Sequence, residues 1–334
     1  ARVFDFYATS QPAIISLGGK QQPLGQPGIH VGLSLSPDGK YVLSQQVQRP
    51  YSYVVPLRSF PRSIQVLARN GTLVHHLASL PLVEGLPTGN DAVATGPRMV
   101  SWRADAPATL VWAEAQDGGD PNVAARIRDA VMTLAAPFDA KPATLAQLGS
   151  RFAGIAWGRG DVALLHERWF KTRWSKTWQI APDAPDTAPR LLVDRSSQDR
   201  YSDPGTALMT SGDAGRALLQ FTADGQSIFL AGAGASPEGD RPFVDRFNLA
   251  SGQKERLFQS QDGSYSVPMA VLDDAGKTLL ISRETPDVPA NVLVLDLASG
   301  SERALTDVRH PVPALAGVRK EQIRYARADG VQLT

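Results

Sequence analysis

Basic side chains, grouped in segments between apolar runs, are the residues of this sequence best suited to chemistry. A planar guanidinium binds a carboxylate through two parallel hydrogen bonds, so an unpaired arginine attracts the acidic groups of a substrate. Acidic neighbours such as Asp199, Asp203 and Asp240 favour the alternative that ion pairs hold these cations and fix loops. The groups are Arg49, Arg58 and Arg62, then Arg168, Lys171, Arg173 and Lys176, then Arg195 and Arg200, and then Arg241 with Arg246.

Other kinds of chemistry find little support. The sequence has no cysteine and no Gly-x-Ser-x-Gly motif, so it offers neither a thiolate nor a nucleophile elbow. His75 and His76 are adjacent on a predicted strand and would face opposite sides, which disfavours a shared metal ion. Asp117-Gly118-Gly119-Asp120 is more typical of a turn than of a calcium site. We therefore predict no catalytic residue, no metal ligand and no cofactor in this chain.

Alternating apolar residues around short turns indicate the elements that position these side chains. In Leu33 to Gln45, two alternating runs flank Pro37-Asp38-Gly39, which is typical of a β-hairpin. Similar segments recur, each followed by a second hairpin, at a spacing of roughly 50 to 70 residues. The pattern predicts an all-β fold, a β-propeller with about five and a half blades. The complete repeats run over residues 30–80, 98–148, 152–194, 216–259 and 266–307.

The same pattern divides the chain into three parts. Residues 1–27 hold a partial blade, residues 28–310 hold the blades, and residues 311–334 hold a linker with Pro311 and Pro313 followed by a further hairpin. In NVAARIRDAVMTLAA (122–136) the apolar residues recur at helical spacing, but its place in the series predicts a loop followed by a strand. Because a partial blade does not close a ring, we expect the chain to belong to a longer polypeptide.

The connections between strands are of two kinds. Strand direction reverses at every connection, so first-to-second and third-to-fourth connections lie on one side of a blade and the others lie on the opposite side. Connections of the first kind are short, whereas those of the second kind are long and carry most of the basic residues. Long loops in a compact domain usually bind or cover something, so we expect function on this long-loop side. Its connections are residues 48–62, 81–98, 115–129, 168–174, 194–205 and 232–243.

Size and charge limit the partners. The chain has 334 residues, enough for one large domain, and its 34 Lys and Arg against 33 Asp and Glu leave a formal charge of +1. This balance gives no reason to expect nucleic acid or an anionic membrane as a partner. No apolar run approaches the ~20 residues that span a bilayer, so no membrane insertion is expected.

Several segments that span nearly the whole chain carry a family resemblance. They are DFYATSQ (5–11), RPYSYVVP with SFPR (49–62), SWRADAPATLVWAEAQDGGDP (101–121), ERWFKTR (167–173), DRSSQDRYSDPG (194–205), GASPEGDRPFVDRF (234–247) and IRYARADGVQLT (323–334). In this order they resemble the glutamyl endopeptidases of the prolyl oligopeptidase family, which include chloroplast enzymes of plants. The resemblance implies a seven-bladed propeller joined to a C-terminal α/β-hydrolase domain with a Ser-Asp-His triad. Residues 323–334 resemble the first strands of that domain, so the catalytic domain itself is expected to be absent from this chain.

The resemblance also implies a function. The propeller would cap the active site of a serine endopeptidase that cleaves after glutamate, and would admit peptides while excluding folded proteins. The implied partners are peptide substrates and the protein's own C-terminal α/β-hydrolase domain. A free-standing propeller that binds proteins through its long-loop side is the alternative, and a carbohydrate-active propeller is disfavoured because no carboxylate pair stands out. The residues inferred to hold the acidic substrate side chain are Arg168, Lys171, Arg173, Arg241 and Arg246.

Overall fold

Antiparallel strands make up nearly all of the regular structure. The computed structural model describes residues 1–87, 89–312, 318, 321 and 323–333. Of the described residues, 47% are in strands and 4% in helices. The regular structure of this part of the chain is therefore almost entirely β, and the all-β prediction is confirmed.

The first compact unit comprises Ala1–Asp199 and Met209–Leu219. It begins with helix α1 (Arg2–Ala8) and a hairpin of β1 (Ala13–Ile15) and β2 (Gln21–Pro23). Within its described residues, three four-stranded sheets follow, and their strands pair in chain order. Blade 1 contains β3 (Ile29–Leu35), β4 (Tyr41–Val47), β5 (Arg62–Ala68) and β6 (Leu73–Leu80). Blade 2 contains β7 (Arg98–Trp102), β8 (Thr109–Ala115), β9 (Asp129–Ala135) and β10 (Ala143–Leu148). Blade 3 contains β11 (Arg151–Arg159), β12 (Val162–Trp169), β13 (Trp174–Ile180) and β14 (Arg190–Ser196).

The second compact unit comprises Arg200–Leu208 and the chain from Gln220 onward. Blade 4 contains β15 (Thr206–Ala207), β18 (Ser227–Gly232), β21 (Phe243–Asn248) and β22 (Lys254–Gln259). Blade 5 contains β23 (Tyr265–Val271), β24 (Thr278–Glu284), β25 (Asn291–Asp296) and β26 (Glu302–Ala304). The strands numbered between these form two-stranded hairpins. In the first unit β16 (Met209–Ser211) pairs with β17 (Ala217–Leu219), and in the second unit β19 (Ala235–Ser236) pairs with β20 (Gly239–Asp240). Near the end of the chain, β27 (Tyr325–Ala326) pairs with β28 (Gln332–Leu333), which confirms the further hairpin.

The apolar cores lie between the faces of neighbouring blades. In the first unit, Val66 of blade 1 belongs to one buried cluster with Trp112 of blade 2, and Val131 of blade 2 belongs to another with Trp157 of blade 3. Trp112 and Trp157 are both buried. Burying one large apolar side chain contributes about 1.5–3 kcal/mol, so these sheet-on-sheet contacts hold successive blades together. Five four-stranded sheets among the described residues agree with the propeller class, which is confirmed.

The fourth repeat departs from the sequence expectation. The repeat was expected to begin at residue 216, but Leu218 and Leu219 pair with Thr210 and Met209 in the β16–β17 hairpin. The first strand of blade 4 is instead the short β15, and an isolated bridge from Phe221 to Ile228 continues the pairing. Alternating residues such as these satisfy either hairpin, and the nearby glycines Gly212 and Gly215 allow the alternative turn.

Two further segments can be compared with their sequence expectations. Residues 122–136 form a loop followed by β9, as expected from the repeat series. Helix α1 was not expected, because seven residues are too short to show a helical period. A contact with a residue outside the helix stabilises α1, since the ring centroid of Phe4 in the helix lies 4.9 Å from that of Tyr51. The predicted linker at Pro311 and Pro313 lies largely outside the described residues.

Hydrogen bonds join connections of the same kind in neighbouring blades. In the first unit, Asp38 N donates to Pro107 O (2.9 Å) between short connections, and Val93 N donates to Gly119 O (3.0 Å) between long ones. In the second unit, Ala223 N donates to Asp274 O (3.2 Å) between short connections. The predicted difference in length holds only in part. On the short side, residues 181–189 (β13 to β14) and 208–226 (β15 to β18) form long connections, and on the long side residues 149–150 (β10 to β11) form a short one.

Candidate functional site

The predicted substrate-binding cations fall into two groups. Arg168, Lys171 and Arg173 lie together at the connection from β12 to β13 in blade 3, within the first unit. Arg241 and Arg246 lie in blade 4 or its connections, within the second unit. We name residues 168–174 the basic loop, because it brings three cations within a short stretch on the long-loop side.

Arg168 and Lys171 are exposed cations that pair with no acidic side chain in the described part of the chain. Neither side chain forms an ion pair or a hydrogen bond with any residue that the structure describes. The Arg173 guanidinium behaves differently, since it lies over the Phe170 ring with 3.5 Å between the guanidinium carbon and the ring centroid. The alternative of loop-fixing ion pairs therefore fails for Arg168 and Lys171, which remain available to an anionic ligand.

Arg241 and Arg246 are paired with acidic side chains. Arg241 Nη2 lies 2.7 Å from an oxygen of Asp262, whose side chain is 86% exposed. Arg246 Nη1 lies 2.9 Å from an oxygen of Glu255, and Arg246 Nη2 donates to Ala275 O at 2.8 Å. For both residues, the ion-pair interpretation describes the contacts that are present.

The position of Arg246 corrects the sequence interpretation. Arg246 was grouped with the cations of the long-loop side, but Ala275 belongs to the short connection between β23 and β24. Strand β21 runs from the long connection at Phe243 towards the short turn after Asn248. The long Arg246 side chain extends in the same direction, so its guanidinium reaches the short side. Sequence position alone does not specify that direction.

A buried ion network lies next to the basic loop in the first unit. Arg151 is 4% exposed, and its Nη1 and Nη2 donate to the two carboxylate oxygens of Asp117 at 2.9 and 2.8 Å. Arg151 Nη1 also donates to Asp129 (3.0 Å), which is fully buried and accepts a hydrogen bond from Phe152 N (2.8 Å). Arg98 lies 2.7 Å from the second oxygen of Asp129. The network thus joins blade 2, blade 3 and the loop at Asp117.

An aromatic contact and a lowered carboxyl pKa accompany the ion pairs of this network. The Arg128 guanidinium lies 4.2 Å from the centroid of the Trp169 ring, at the start of the basic loop, and its Nη1 donates to Asp117 at 2.9 Å. Burial alone would raise the pKa of the Asp117 carboxyl, but hydrogen bonds from Arg151 and Arg128 outweigh it and hold that pKa below its ordinary value. Asp117 therefore remains charged, and its position is fixed.

Asp117 to Asp120 form a turn, as the sequence indicated. Gly119 has φ 79°, and a Cβ at this position would lie 1.9 Å from Val93 O, so glycine is required by both conformation and space. Among the described residues, no group of three or more His, Asp or Glu side chains could hold a metal ion. In the same part of the chain, no helix is long and apolar enough to cross a membrane.

Sequence reasoning missed two residues that hold the basic loop. Asp91 accepts hydrogen bonds from Phe170 N (2.8 Å) and Lys171 N (3.0 Å), and Arg173 O accepts hydrogen bonds from Ser197 N (2.6 Å) and Ser197 Oγ (2.9 Å). Asp91 carries one sequence signal, since it is an acidic residue inside a long connection that otherwise lacks a periodic pattern. Ser197 carries none.

The second unit contains a separate cavity of about 400 Å³ beside blade 4. Lys254 and Arg256 contribute cations to its wall, and Asp245 contributes a buried carboxylate that is hydrogen-bonded to Arg256. The Arg256 guanidinium also lies 4.2 Å from the centroid of the Phe243 ring. Because Arg256 is already engaged by an acid and an aromatic face, the cavity offers a weaker anion site than the basic loop.

Stability is expected to fall as the pH drops from 7 to 5, with His166 as one cause. Burial lowers the pKa of His166, whose Nδ1 lies 3.0 Å from Thr177 Oγ1. An unfolded histidine takes up a proton near pH ~6.5, whereas folded His166 does so only at lower pH, so between those values the unfolded state binds more protons. The free energy of unfolding should therefore rise with pH in this window, by no more than about 1.4 kcal/mol per pH unit for one group.

Urea unfolding between pH 5 and 7 checks this expectation, with His166→Gln as the test variant. The variant should show a flatter pH dependence than the parent chain. Burial also lowers the pKa of His75, with a further contribution from His76, and this group keeps part of the slope in both proteins. An unchanged slope in His166→Gln would contradict the assignment to His166.

Comparison with known proteins identifies relatives of this chain. The chain is 39% identical over its whole length to a protein named probable glutamyl endopeptidase, chloroplastic, from Oryza sativa subsp. japonica. It is 38% identical over its whole length to the protein of the same name from Arabidopsis thaliana. The chain spans 37% and 36% of the lengths of these two relatives. No protein-family model matches the chain.

A solved structure shares the fold. A putative dipeptidyl aminopeptidase IV from Bacteroides ovatus superposes with a TM-score of 0.50 at 12% identity, over 90% of this chain and 43% of that one. By its fold, the chain is a β-propeller. Its sequence matches, over its whole length, the N-terminal part of two proteins named probable glutamyl endopeptidase.

Proposed function

We propose that the chain is the propeller that controls substrate access in a serine endopeptidase cleaving after glutamate, and that it is inactive alone. The observation that carries the proposal is the match of the whole chain to proteins named glutamyl endopeptidases, because the propeller fold by itself hosts many functions. The partners in this proposal are peptide substrates and a C-terminal α/β-hydrolase domain of the same polypeptide. Residues 323–333, which contain the β27–β28 hairpin, would form the first strands of that domain.

The basic loop supports the glutamate preference. Arg168 and Lys171 are exposed cations on the long-loop side of the first unit, unpaired among the described residues, where a substrate carboxylate could accept their hydrogen bonds. Arg173 adds positive charge nearby. Arg241 is a possible further contact, because a surface ion pair such as Arg241–Asp262 contributes only about 0–1 kcal/mol and a substrate can displace Asp262. Arg246 is left out of this role because its contacts lie on the short side.

A free-standing propeller that binds proteins is the second candidate, and one surface favours it. Phe6 and Tyr7 on α1 are exposed, and the nearby Tyr53 is 92% exposed. Tyr53 Oη lies 3.1 Å from the N-terminal nitrogen, which places it beside the helix. Exposed aromatic groups of this kind are typical of protein-binding surfaces.

An activity assay distinguishes the two candidates. The full-length polypeptide is expected to cleave a chromogenic peptide after glutamate at least about tenfold faster than the matched glutamine peptide, since loss of one charge-assisted hydrogen bond costs about 1.5–3 kcal/mol. The 334-residue chain alone should show no turnover. If the full-length protein cleaves neither peptide, the peptidase proposal is rejected and the protein-binding propeller remains as the candidate.

A further inference from the structure

The basic loop receives its shape from residues outside it. Strand β12 ends at Trp169, and Phe170–Thr172 form a single 3₁₀ turn. The first N–H groups of such a turn have no partner within the turn, and the capping residue Trp169 supplies no side-chain bond. Asp91 takes that role from 79 positions earlier in the sequence, with one carboxylate oxygen on Phe170 N and the other on Lys171 N.

The other end of the loop is held by a second connection. Arg173 has φ 59° and ψ 22°, a left-handed conformation that costs roughly 1–2 kcal/mol for a residue other than glycine. Two hydrogen bonds from Ser197 to Arg173 O favour that conformation, and Arg173 N donates to Phe170 O at 3.1 Å. A residue keeps a strained backbone conformation where several surrounding contacts hold it there, as these hydrogen bonds do for Arg173.

Asp91 is in turn fixed by the buried ion network. It is 5% exposed, and its backbone oxygen accepts a hydrogen bond from Arg151 Nε at 2.8 Å. The same Arg151 guanidinium binds Asp117 through both of its terminal nitrogens. A continuous chain of hydrogen bonds therefore runs from the interior of the first unit through Asp91 to the backbone of Lys171.

We propose that Asp91 is a positioning residue that clamps the basic loop, so that Arg168 and Lys171 are presented as a preorganised pair to an acidic substrate group. Preorganisation removes part of the entropy cost of ordering two long side chains when the ligand binds. The substrate part of this inference depends on the proposed function, whereas the clamp itself depends on the geometry around Asp91.

Replacement of Asp91 distinguishes its effect on loop position from the effect of its charge, because the two change KM in opposite directions. Asp91 is an anion close to two cations, so its loss would by electrostatics alone strengthen the attraction for an acidic substrate and lower KM. Loss of the clamp would act in the opposite direction and raise KM. An increase in KM therefore reports loop position and cannot be explained by the change in charge.

Limited trypsin digestion tests the clamp without any activity assay. In the folded chain, cleavage after Arg168, Lys171 and Arg173 should be slow because the loop is fixed. In Asp91→Ala, cleavage at these sites should be at least about tenfold faster, the change expected when about 1.4 kcal/mol of local stability is lost. Asp91→Asn keeps one acceptor oxygen and should be intermediate. Asp139→Ala, an exposed aspartate in the connection from β9 to β10, is the matched control.

Site-resolved rates by mass spectrometry decide the outcome. Faster cleavage confined to residues 168–174 supports the clamp. Unchanged cleavage in Asp91→Ala, or an equal increase at distant sites such as Lys141, would overturn it, because the second result indicates general unfolding. The Asp91→Asn variant keeps the test valid if Asp91→Ala does not fold.

Kinetics of the full-length polypeptide then test the functional part. In Asp91→Asn, KM for a glutamate peptide should rise about threefold or more, with kcat and the glutamine peptide little changed. Lys171→Gln should raise KM as well, and the double variant should show less than the product of the two effects. Faster trypsin cleavage with unchanged KM would leave the clamp intact and overturn the acid-binding role of the loop.

Discussion

Replacement of Arg151 by alanine is expected to lower the free energy of unfolding by about 3 kcal/mol or more. Arg151 is the one guanidinium that contacts both Asp117 and Asp129 in the described chain, and it also donates to the backbone oxygens of Asp91 and Arg128. Its loss leaves the buried carboxylates of Asp117 and Asp129 with less positive charge and fewer hydrogen-bond donors around them. Breaking a buried ion pair costs about 3–5 kcal/mol. Arg98 and Arg128 still contact these carboxylates, so the lower end of that range is expected.

Urea unfolding followed by tryptophan fluorescence measures this effect. Arg159→Ala is the matched control, because Arg159 pairs with Asp161 in an exposed turn, where an ion pair is worth about 0–1 kcal/mol. A loss below about 1 kcal/mol in Arg151→Ala would contradict the view that Arg151 holds blades 2 and 3 together. A loss of equal size in both variants would contradict it as well.

Much of the propeller could be predicted because its information is local. Alternation around Pro37-Asp38-Gly39 specifies both the strands and the turn between them, and short turns force successive strands to pair in chain order. The local pattern was insufficient at Leu218, where the same alternation fits either of two hairpins. Choosing between them requires knowing that Thr206 pairs with Ala231, a contact that no local pattern records.

The candidate site was predictable in composition but not in arrangement. Clustering in the sequence was sufficient to single out Arg168 and Lys171 as cations of a long loop. Whether a cation is paired depends on residues far along the chain, as with the 79-residue separation of Asp91 from Phe170. Side-chain direction was also hidden, since Arg246 lies three residues beyond Phe243 and yet contacts a short connection.

Reversing the charge at both Arg168 and Lys171 in the full-length polypeptide is expected to raise KM for a glutamate peptide by roughly 10- to 100-fold. This range corresponds to loss of one or more charge-assisted hydrogen bonds, each worth about 1.5–3 kcal/mol, together with new repulsion of the substrate carboxylate. Both side chains are exposed and unpaired among the described residues, so Arg168→Glu with Lys171→Glu should leave stability nearly unchanged. Initial rates over a range of peptide concentrations give the measurement.

Three comparisons separate a specific acid-binding role from a general field. Lys141→Glu reverses a charge on the short side of blade 2 and should leave KM unchanged. KM for the matched glutamine peptide should change far less in the double variant, because a neutral amide offers no charge to repel. The difference between wild type and double variant should shrink at high salt, since screening over about 8 Å at 0.15 M weakens exposed charges. Equal shifts for both peptides, or a Lys141→Glu effect of the same size, would mean that the basic loop does not select glutamate.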